Sequence, residues 1–186
     1  MRIISGSRKG KIIKAPSQLP VRPTTDYAKE SFFNILNNLM DPHEISFLDL
    51  FSGTGNFAYE MASRGCTRVT AVDVHGPCVK FIQKTATNLT FDGIHAVRED
   101  ALRYLRGNRS QFDVIFADPP YEYESYDLLI ALVLEHDRLT PDGMLVLEHS
   151  PRTSFEGHPH LFDFRKYGNV CFSFFQAEPV DPSPEA

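Results

Sequence analysis

Asp49-Leu50-Phe51-Ser52-Gly53-Thr54-Gly55 is the stretch on which the fold turns. The apolar run Ile45–Phe51 reads as a short buried strand, and Gly55–Arg64 reads as the helix after it, stopped by Gly65. Glycines at that joint let the backbone turn tightly and come close to a ligand. Downstream the same rhythm repeats. Arg68–Asp73 is a strand, Cys78–Leu89 a helix, Ile94–Arg98 a strand and Ala101–Arg106 a short helix. Phe112–Ala117 is an apolar strand, Ser125–Leu134 a helix, and Met144–Glu148 a core strand after a Pro141-Asp142-Gly143 turn. Alternation of this kind predicts right-handed βα units on a mostly parallel sheet. Leu161–Lys166 and Val170–Gln176 flank Tyr167-Gly168-Asn169 with no room for a crossover helix, so they form an antiparallel hairpin.

Upstream, Ala28, Phe32, Ile35, Leu36 and Leu39 recur at helical spacing and predict an amphipathic helix over 26–39, ended by Asp41-Pro42. Pro20 and Pro23 bracket a stiff link, and Thr24 or Thr25 offers a cap to the helix amides. Arg2–Ser5 and Lys11–Lys14 read as two short strands joined by a Ser7–Gly10 turn. Residues 177–186 hold Pro179, Pro182, Pro184 and three acids, the composition of a frayed acidic tail.

With 186 residues, 42% of them hydrophobic and 23% charged, the chain has room for one domain with a proper core. A net charge of −5 excludes a generally polybasic binder. That total hides an asymmetry: residues 1–30 carry seven basic and two acidic groups, whereas the remainder is acidic by ten charges. Cys66, Cys78 and Cys171 fit no disulfide framework and no close metal pair, and the seven histidines form no metal signature. No run reaches the apolar length of a membrane helix, and the polar N-terminus lacks a signal-peptide core, so a soluble cytoplasmic protein is expected.

Three acidic groups stand at successive strand ends. Asp49 precedes the glycine loop, Asp73 closes the next strand 20 residues after Gly53, and Asp100 follows the third. Open α/β sheets bind ligands at this edge. A carboxylate at Asp73 can accept from both ribose hydroxyls, and Asp100 or the Ala101 amide can meet an adenine edge. Gly53-x-Gly55-x-x-Ala58 also fits the relaxed dinucleotide fingerprint, so an NAD-dependent oxidoreductase stays open. Asp49 disfavours it: a pyrophosphate gains little from so close an acid, whereas the amino group of a methionine moiety gains a partner.

Asp118-Pro119-Pro120-Tyr121 follows the strand Phe112–Ala117. Two prolines fix φ and remove two donors, leaving carbonyl acceptors. Asp118 adds a carboxylate, and Tyr121 a ring on which a planar base can stack. Acceptors on both N–H bonds of an aromatic amine favour the charge that develops on its nitrogen as it attacks an electrophile.

With these residues the chain resembles the RsmD-type methyltransferases, class I S-adenosylmethionine-dependent enzymes that methylate the N2 amine of one guanine in 16S ribosomal RNA. Arg2-Ile3-Ile4-Ser5-Gly6 with Lys9-Gly10 is similar to the family's opening hairpin. Arg22-Pro23-Thr24-Thr25-Asp26 followed by Glu30-Ser31-Phe32-Phe33-Asn34-Ile35-Leu36 is similar to its second block. The glycine loop, Ser63-Arg64-Gly65 and Asp-Pro-Pro-Tyr follow in order.

The resemblance implies a seven-stranded, mostly parallel Rossmann-like sheet with an antiparallel last strand, preceded by a basic hairpin and helix. The expected organisation is a hairpin and linker at 1–24, the methyltransferase domain at 25–177 and the acidic tail at 178–186. It implies that Asp49 and the loop Gly53, Thr54 and Gly55 hold the methionine end of S-adenosyl-L-methionine, that Phe51 and Ser52 also bind the cofactor, that Asp73 takes the ribose, and that Asp100 and Ala101 read the adenine. Asp118, Pro119, Pro120 and Tyr121 would grip the target amine and base. The implied partner is 16S ribosomal RNA within a small-subunit assembly particle, with no membrane and no obligate protein partner. Arg2, Arg8, Lys9, Lys11, Lys14 and Arg22 are the candidates for phosphate contacts. Methylation of adenine N6 in nucleic acid and a non-catalytic RNA-binding assembly factor are the competing readings, since Asp-Pro-Pro-Tyr does not separate the two amines.

Overall fold

The computed structural model of the chain describes residues 1–19 and 26–180. The expected link at Pro20 and Pro23, with Arg22, Thr24 and Thr25, lies outside the described residues, as does the end of the tail, 181–186.

Helix α1 (Asp26–Leu39) leads into a regular alternation: β1 (Ser46–Leu50), α2 (Asn56–Ser63), β2 (Arg68–Asp73), α3 (Gly76–Leu89), β3 (Ile94–Arg98), α4 (Ala101–Gly107), β4 (Phe112–Ala117), α5 (Tyr126–Leu134) and β5 (Leu139–His149). An antiparallel hairpin of β6 (Leu161–Tyr167) and β7 (Val170–Gln176) completes it. The seven strands form one sheet in the order β3-β2-β1-β4-β5-β7-β6, with β7 antiparallel to both neighbours. This is the class I methyltransferase sheet that the resemblance implies.

Strand side chains alternate between two faces, and each face has its own apolar layer. Val114 and Phe116 join α1, α2 and α3 on one side, while Ile115 and Ala117 join α4 and α5 on the other. The first layer centres on Phe32, whose ring lies 4.9–5.8 Å from those of Phe33, Phe57, Phe116 and Phe172. Truncating such a side chain to alanine costs about 3–5 kcal/mol. Among the described residues no helix is long and apolar enough to cross a membrane.

Two expectations need correction and one a refinement. The expected N-terminal hairpin is present, but in short form: Arg2 and Ile12 form a single antiparallel bridge beside a one-turn helix at Gly6–Arg8. Bonds from Ile3 N to Lys11 O (2.9 Å) and Ile13 N to Met1 O (2.9 Å) still draw the two segments together. Pairing stops because the next amides are taken elsewhere. Ile4 N and Ser5 N donate to the Glu60 carboxylate at 2.8 and 2.9 Å, and Arg8 N donates to Ser63 Oγ at 3.0 Å.

Secondly, Pro141-Asp142-Gly143 does not precede the strand but lies within β5, where the β4 register slips between Phe112 and Val114. A Cβ at Gly143 would come within 2.9 Å of Phe112 O and Thr140 O, so this bulge admits only glycine. Thirdly, Phe172, Phe174 and Phe175 are buried as expected, but Phe162 and Phe164 are exposed, Phe164 by 50%, because β6 is the sheet edge.

Candidate active site

The chain runs outward from β1 through β2 to β3, then returns to place β4 on the other side of β1. Ligands of open α/β sheets bind at such a reversal, beyond the carboxyl ends of the strands. Leu50 is paired with Ala117 in the last rung between β1 and β4. The glycine loop and the Asp-Pro-Pro-Tyr segment therefore leave the sheet side by side. Both line one cleft of about 1090 Å³, together with Asp73, Asp100 and Ala101.

The glycine loop is held from beneath. Ser52 N donates to Val72 O at 3.0 Å, and Ser52 Oγ donates to Asp49 O at 2.6 Å. Gly53 N donates to Asp73 Oδ2 at 2.7 Å, and His75 N donates to Asp73 Oδ1 at 2.8 Å. Gly55 is left-handed, with φ of 81°, and a Cβ there would meet Ile82 Cγ1 at 2.9 Å and the Tyr59 ring. It is the one loop residue of the expected set that does not line the cleft; it lets α2 start against α3.

Phe51 also has a positive φ, 61°, a conformation costing a non-glycine residue roughly 1–2 kcal/mol. Its ring packs edge-on against Tyr123, 5.3 Å between centroids, which ties the loop to the segment following Asp-Pro-Pro-Tyr. Tyr126 continues the row 5.1 Å from Tyr123.

Asp49 is 2% exposed, and its Oδ2 has no hydrogen-bond partner among the described residues. Burial pushes its carboxyl well above the usual carboxylate range; a backbone bond at Ala58 opposes the shift, and the charges of Asp118 and Asp73 add to it. A cation seated at Oδ2 would favour the ionised form, so the site suits a bound ammonium. Asp100 is the N-cap of α4, its Oδ1 accepting from Arg103 N at 3.0 Å, while Ala101 is buried beside it. Tyr126 is pushed up to about 12 by burial, then by Asp118 and Glu148. Tyr121 is 59% exposed at the cleft wall.

Several lining residues were not expected. Val74, His75 and Glu99 extend the strand ends at Asp73 and Asp100, and adjacency was their only signal. Tyr123 and Tyr126 follow Tyr121, and the aromatic spacing 121, 123, 126 was the signal there. Glu148 and His149, by contrast, stand at a strand end that the sequence already puts near the pocket, and they close β5 at the cleft, where His149 Nε2 contacts Ser173 Oγ at 2.8 Å. Met1 covers the loop, with Thr54 Oγ1 donating to its sulfur at 3.7 Å.

Of the basic candidates, Lys14 lines the cleft. Lys9 and Lys11 are exposed. Arg2 pairs with Asp26 at 3.4 Å. Arg8 is committed to α3, its Nε donating to Leu89 O at 3.1 Å and its Nη2 to Thr90 Oγ1 at 2.6 Å. Lys29, counted in the sequence with the basic arm, is instead fully buried and paired with Glu60 at 3.1 Å. It also donates to Arg2 O at 2.6 Å and Asn56 Oδ1 at 2.9 Å, so arm, α1 and α2 meet on one ammonium. Burial lowers the Lys29 pKa, and Glu60 opposes that shift. A lysine within the Ala28–Phe32–Phe33 stripe was the available signal.

Among the described residues six carboxylates line the cleft, Asp49, Asp73, Glu99, Asp100, Asp118 and Glu148, against the single lysine Lys14. Such a wall repels the two charges of a dinucleotide pyrophosphate and attracts a ligand bearing a sulfonium and an ammonium. The residues present fit S-adenosylmethionine on this ground and through the unpaired Asp49 Oδ2.

A family model described as Conserved hypothetical protein 95 matches residues 1–176. YlbH of Bacillus subtilis is 37% identical over 153 residues, covering 80% of this chain and 82% of that one. Ribosomal RNA small subunit methyltransferase D of Buchnera aphidicola is 29% identical over 150 residues, covering 80% and 75%. Among solved structures, a hypothetical protein of Thermus thermophilus superposes with a TM-score of 0.83 at 23% identity, over 95% of this chain and 99% of that one.

Proposed function

The chain belongs to the Conserved hypothetical protein 95 family, and on that premise we propose that it transfers a methyl group from S-adenosylmethionine to the N2 amine of a guanine in 16S ribosomal RNA during small-subunit assembly. The observation that carries this reading is the rung Leu50–Ala117, which sends the glycine loop and Asp-Pro-Pro-Tyr into one acid-lined cleft. The methyltransferase D name of the Buchnera relative and the family resemblance of the N-terminal blocks support the choice of substrate.

S-adenosylmethionine, when bound, supplies a methyl group on positively charged sulfur. Asp49 holds the ammonium of its methionine end. Asp73 already anchors the Gly53 amide and offers its remaining lone pairs to the ribose hydroxyls. Ala101 and Asp100 border the adenine. Across the cleft, the Asp118 carboxylate and the Pro119 carbonyl accept the two N–H bonds of the target amine, and Tyr121 stacks on its base. The base must leave its stack to enter a cleft at a strand edge. Gripping both N–H bonds orients the nitrogen lone pair and favours its developing charge. The amine proton passes to solvent beside the exposed Tyr121.

The test is to offer labelled cofactor to protein-free 16S RNA and to partly assembled small subunits, then to identify the labelled nucleoside by mass. N2-methylguanosine is expected. Label in N6-methyladenosine would support the adenine reading, and binding of cofactor and RNA without transfer would support an assembly factor.

A further inference from the structure

A second groove, of about 610 Å³, lies on the outer side of the arm between residues 11–16 and α3. Lys11 and Lys14 line it from the arm, and Lys80 and Lys84 line it from the helix. All four are exposed. Among the described residues no aspartate or glutamate lines the groove and none of the four lysines forms an ion pair. In a chain of net charge −5 this is a concentration of unneutralised cations.

Lys80 and Lys84 are one turn apart on one face of α3, a spacing at which like charges weaken a helix. Helix stability therefore gives no reason for the pair. The groove is also preformed. Arg8 fastens the arm to the end of α3 through Leu89 O and Thr90 Oγ1, and Glu60 fastens Ile4 and Ser5 to α2. Its position relates it to the active site: Ile12, Ile13, Lys14 and Pro16 line both the groove and the cleft. The arm is thus a ridge with carboxylates on one side and lysines on the other.

We propose that this groove holds the sugar-phosphate backbone of the substrate RNA, with Lys80 and Lys84 of α3 acting together with Lys11 and Lys14 as phosphate contacts. A polyanion cannot follow the acid-lined cleft, but it can run along the lysine side of the ridge while one unstacked base crosses to the Asp118 side. This inference rests on the RNA reading above and adds to it the path of the strand.

The experiment measures equilibrium binding of a 16S RNA transcript across a potassium chloride series, for the full chain and for Lys80→Glu/Lys84→Glu. Loss of two phosphate contacts is expected to reduce the slope of log affinity against log salt by about 1.5 to 2. The KM for RNA should rise at least about tenfold at physiological salt, and Lys80→Arg/Lys84→Arg should restore both values. Calorimetric cofactor affinity, together with the milder Lys80→Gln/Lys84→Gln pair, separates loss of contact from loss of fold.

A wild-type slope and KM in the charge-reversed protein overturns the proposal, as does weakened binding at unchanged slope. Loss of affinity for small-subunit particles with unchanged affinity for protein-free RNA also overturns it, in favour of an acidic protein surface. Binding is read without turnover, so a failure of the methylation reading leaves the slope result standing. A failure of the groove leaves methylation at wild-type KM.

Discussion

Gly53 and Asp73 are joined by a hydrogen bond of 2.7 Å from the Gly53 amide to Oδ2. The carboxylate that ends β2 is thereby a strap on the loop that follows β1, before any ligand is considered. Its other oxygen accepts from His75 N at 2.8 Å, so it orders the turn into α3 as well.

Asp73→Ala should therefore lose cofactor affinity by roughly 10- to 100-fold, because two charge-assisted bonds and the ribose contact go together. Asp73→Asn should recover little, since its NH₂ meets one of the two backbone N–H donors. Calorimetry of cofactor binding is the check, and unchanged affinity in the alanine variant would reject the role.

Asp49 leads to a prediction with a definite sign in pH. Burial raises its folded pKa above the unfolded value. Protons are then bound more tightly by the folded protein, and stability falls as pH rises from the unfolded carboxylate pKa through the folded one. Affinity for a ligand carrying an ammonium should rise over that same interval. Asp49→Asn should raise the melting temperature of the cofactor-free protein at neutral pH, by about 2–4 °C per kcal/mol recovered. The gain should vanish near about pH 4, where an unfolded aspartate protonates. The same substitution should abolish tight cofactor binding. Scanning calorimetry at both pH values decides it, and a lower neutral-pH melting temperature would contradict the assignment.

Lys29 and Glu60 should behave unequally. Glu60→Ala leaves a buried ammonium uncompensated and releases Ile4, Ser5 and Arg64, so a loss of about 3–5 kcal/mol is expected. Lys29→Met should cost less, because Glu60 keeps three donors. Denaturant unfolding gives the energies. Hydrogen exchange at the Ile4 and Ser5 amides should accelerate in Glu60→Ala, and equal protection in both variants would contradict this account of the arm.

Much of this architecture was legible because buried parallel strands are continuous apolar runs. Phe112–Ala117 has its observed limits for that reason, whereas Arg68–Asp73 and the edge strand Ile94–Arg98 have theirs from the alternation with the helices around them. The edge of the site was legible too, since glycines, acids and Asp-Pro-Pro-Tyr all stand where strands end. What escaped depends on contacts between distant residues. Pro-Asp-Gly has the same local signature in a turn as in the bulge of β5. The hairpin of the arm pairs over a shorter length than its sequence suggests, because Ile4 and Ser5 give no sign that Glu60, more than fifty residues away, takes their amides. Charge counting included Lys29 in the basic arm and left Lys80 and Lys84 unremarked within the helix Cys78–Leu89.

Tyr121 supplies a ring and no proton in this account. Tyr121→Phe should retain near-normal turnover, whereas Tyr121→Ala should raise the KM for RNA by about 10- to 100-fold, the range of base–aromatic stacking. Steady-state kinetics with varied RNA would contradict the stacking role if phenylalanine were as impaired as alanine.

The central claim is that Asp118 grips the amine opposite the cofactor, across the rung formed by Leu50 and Ala117. Asp118→Ala, measured for single-turnover methyl transfer at saturating cofactor alongside calorimetric cofactor affinity, tests it most directly. The predicted result is a transfer rate reduced about 10²- to 10³-fold with cofactor affinity changed less than about threefold. Equal losses in both quantities, or a rate left intact, would contradict it.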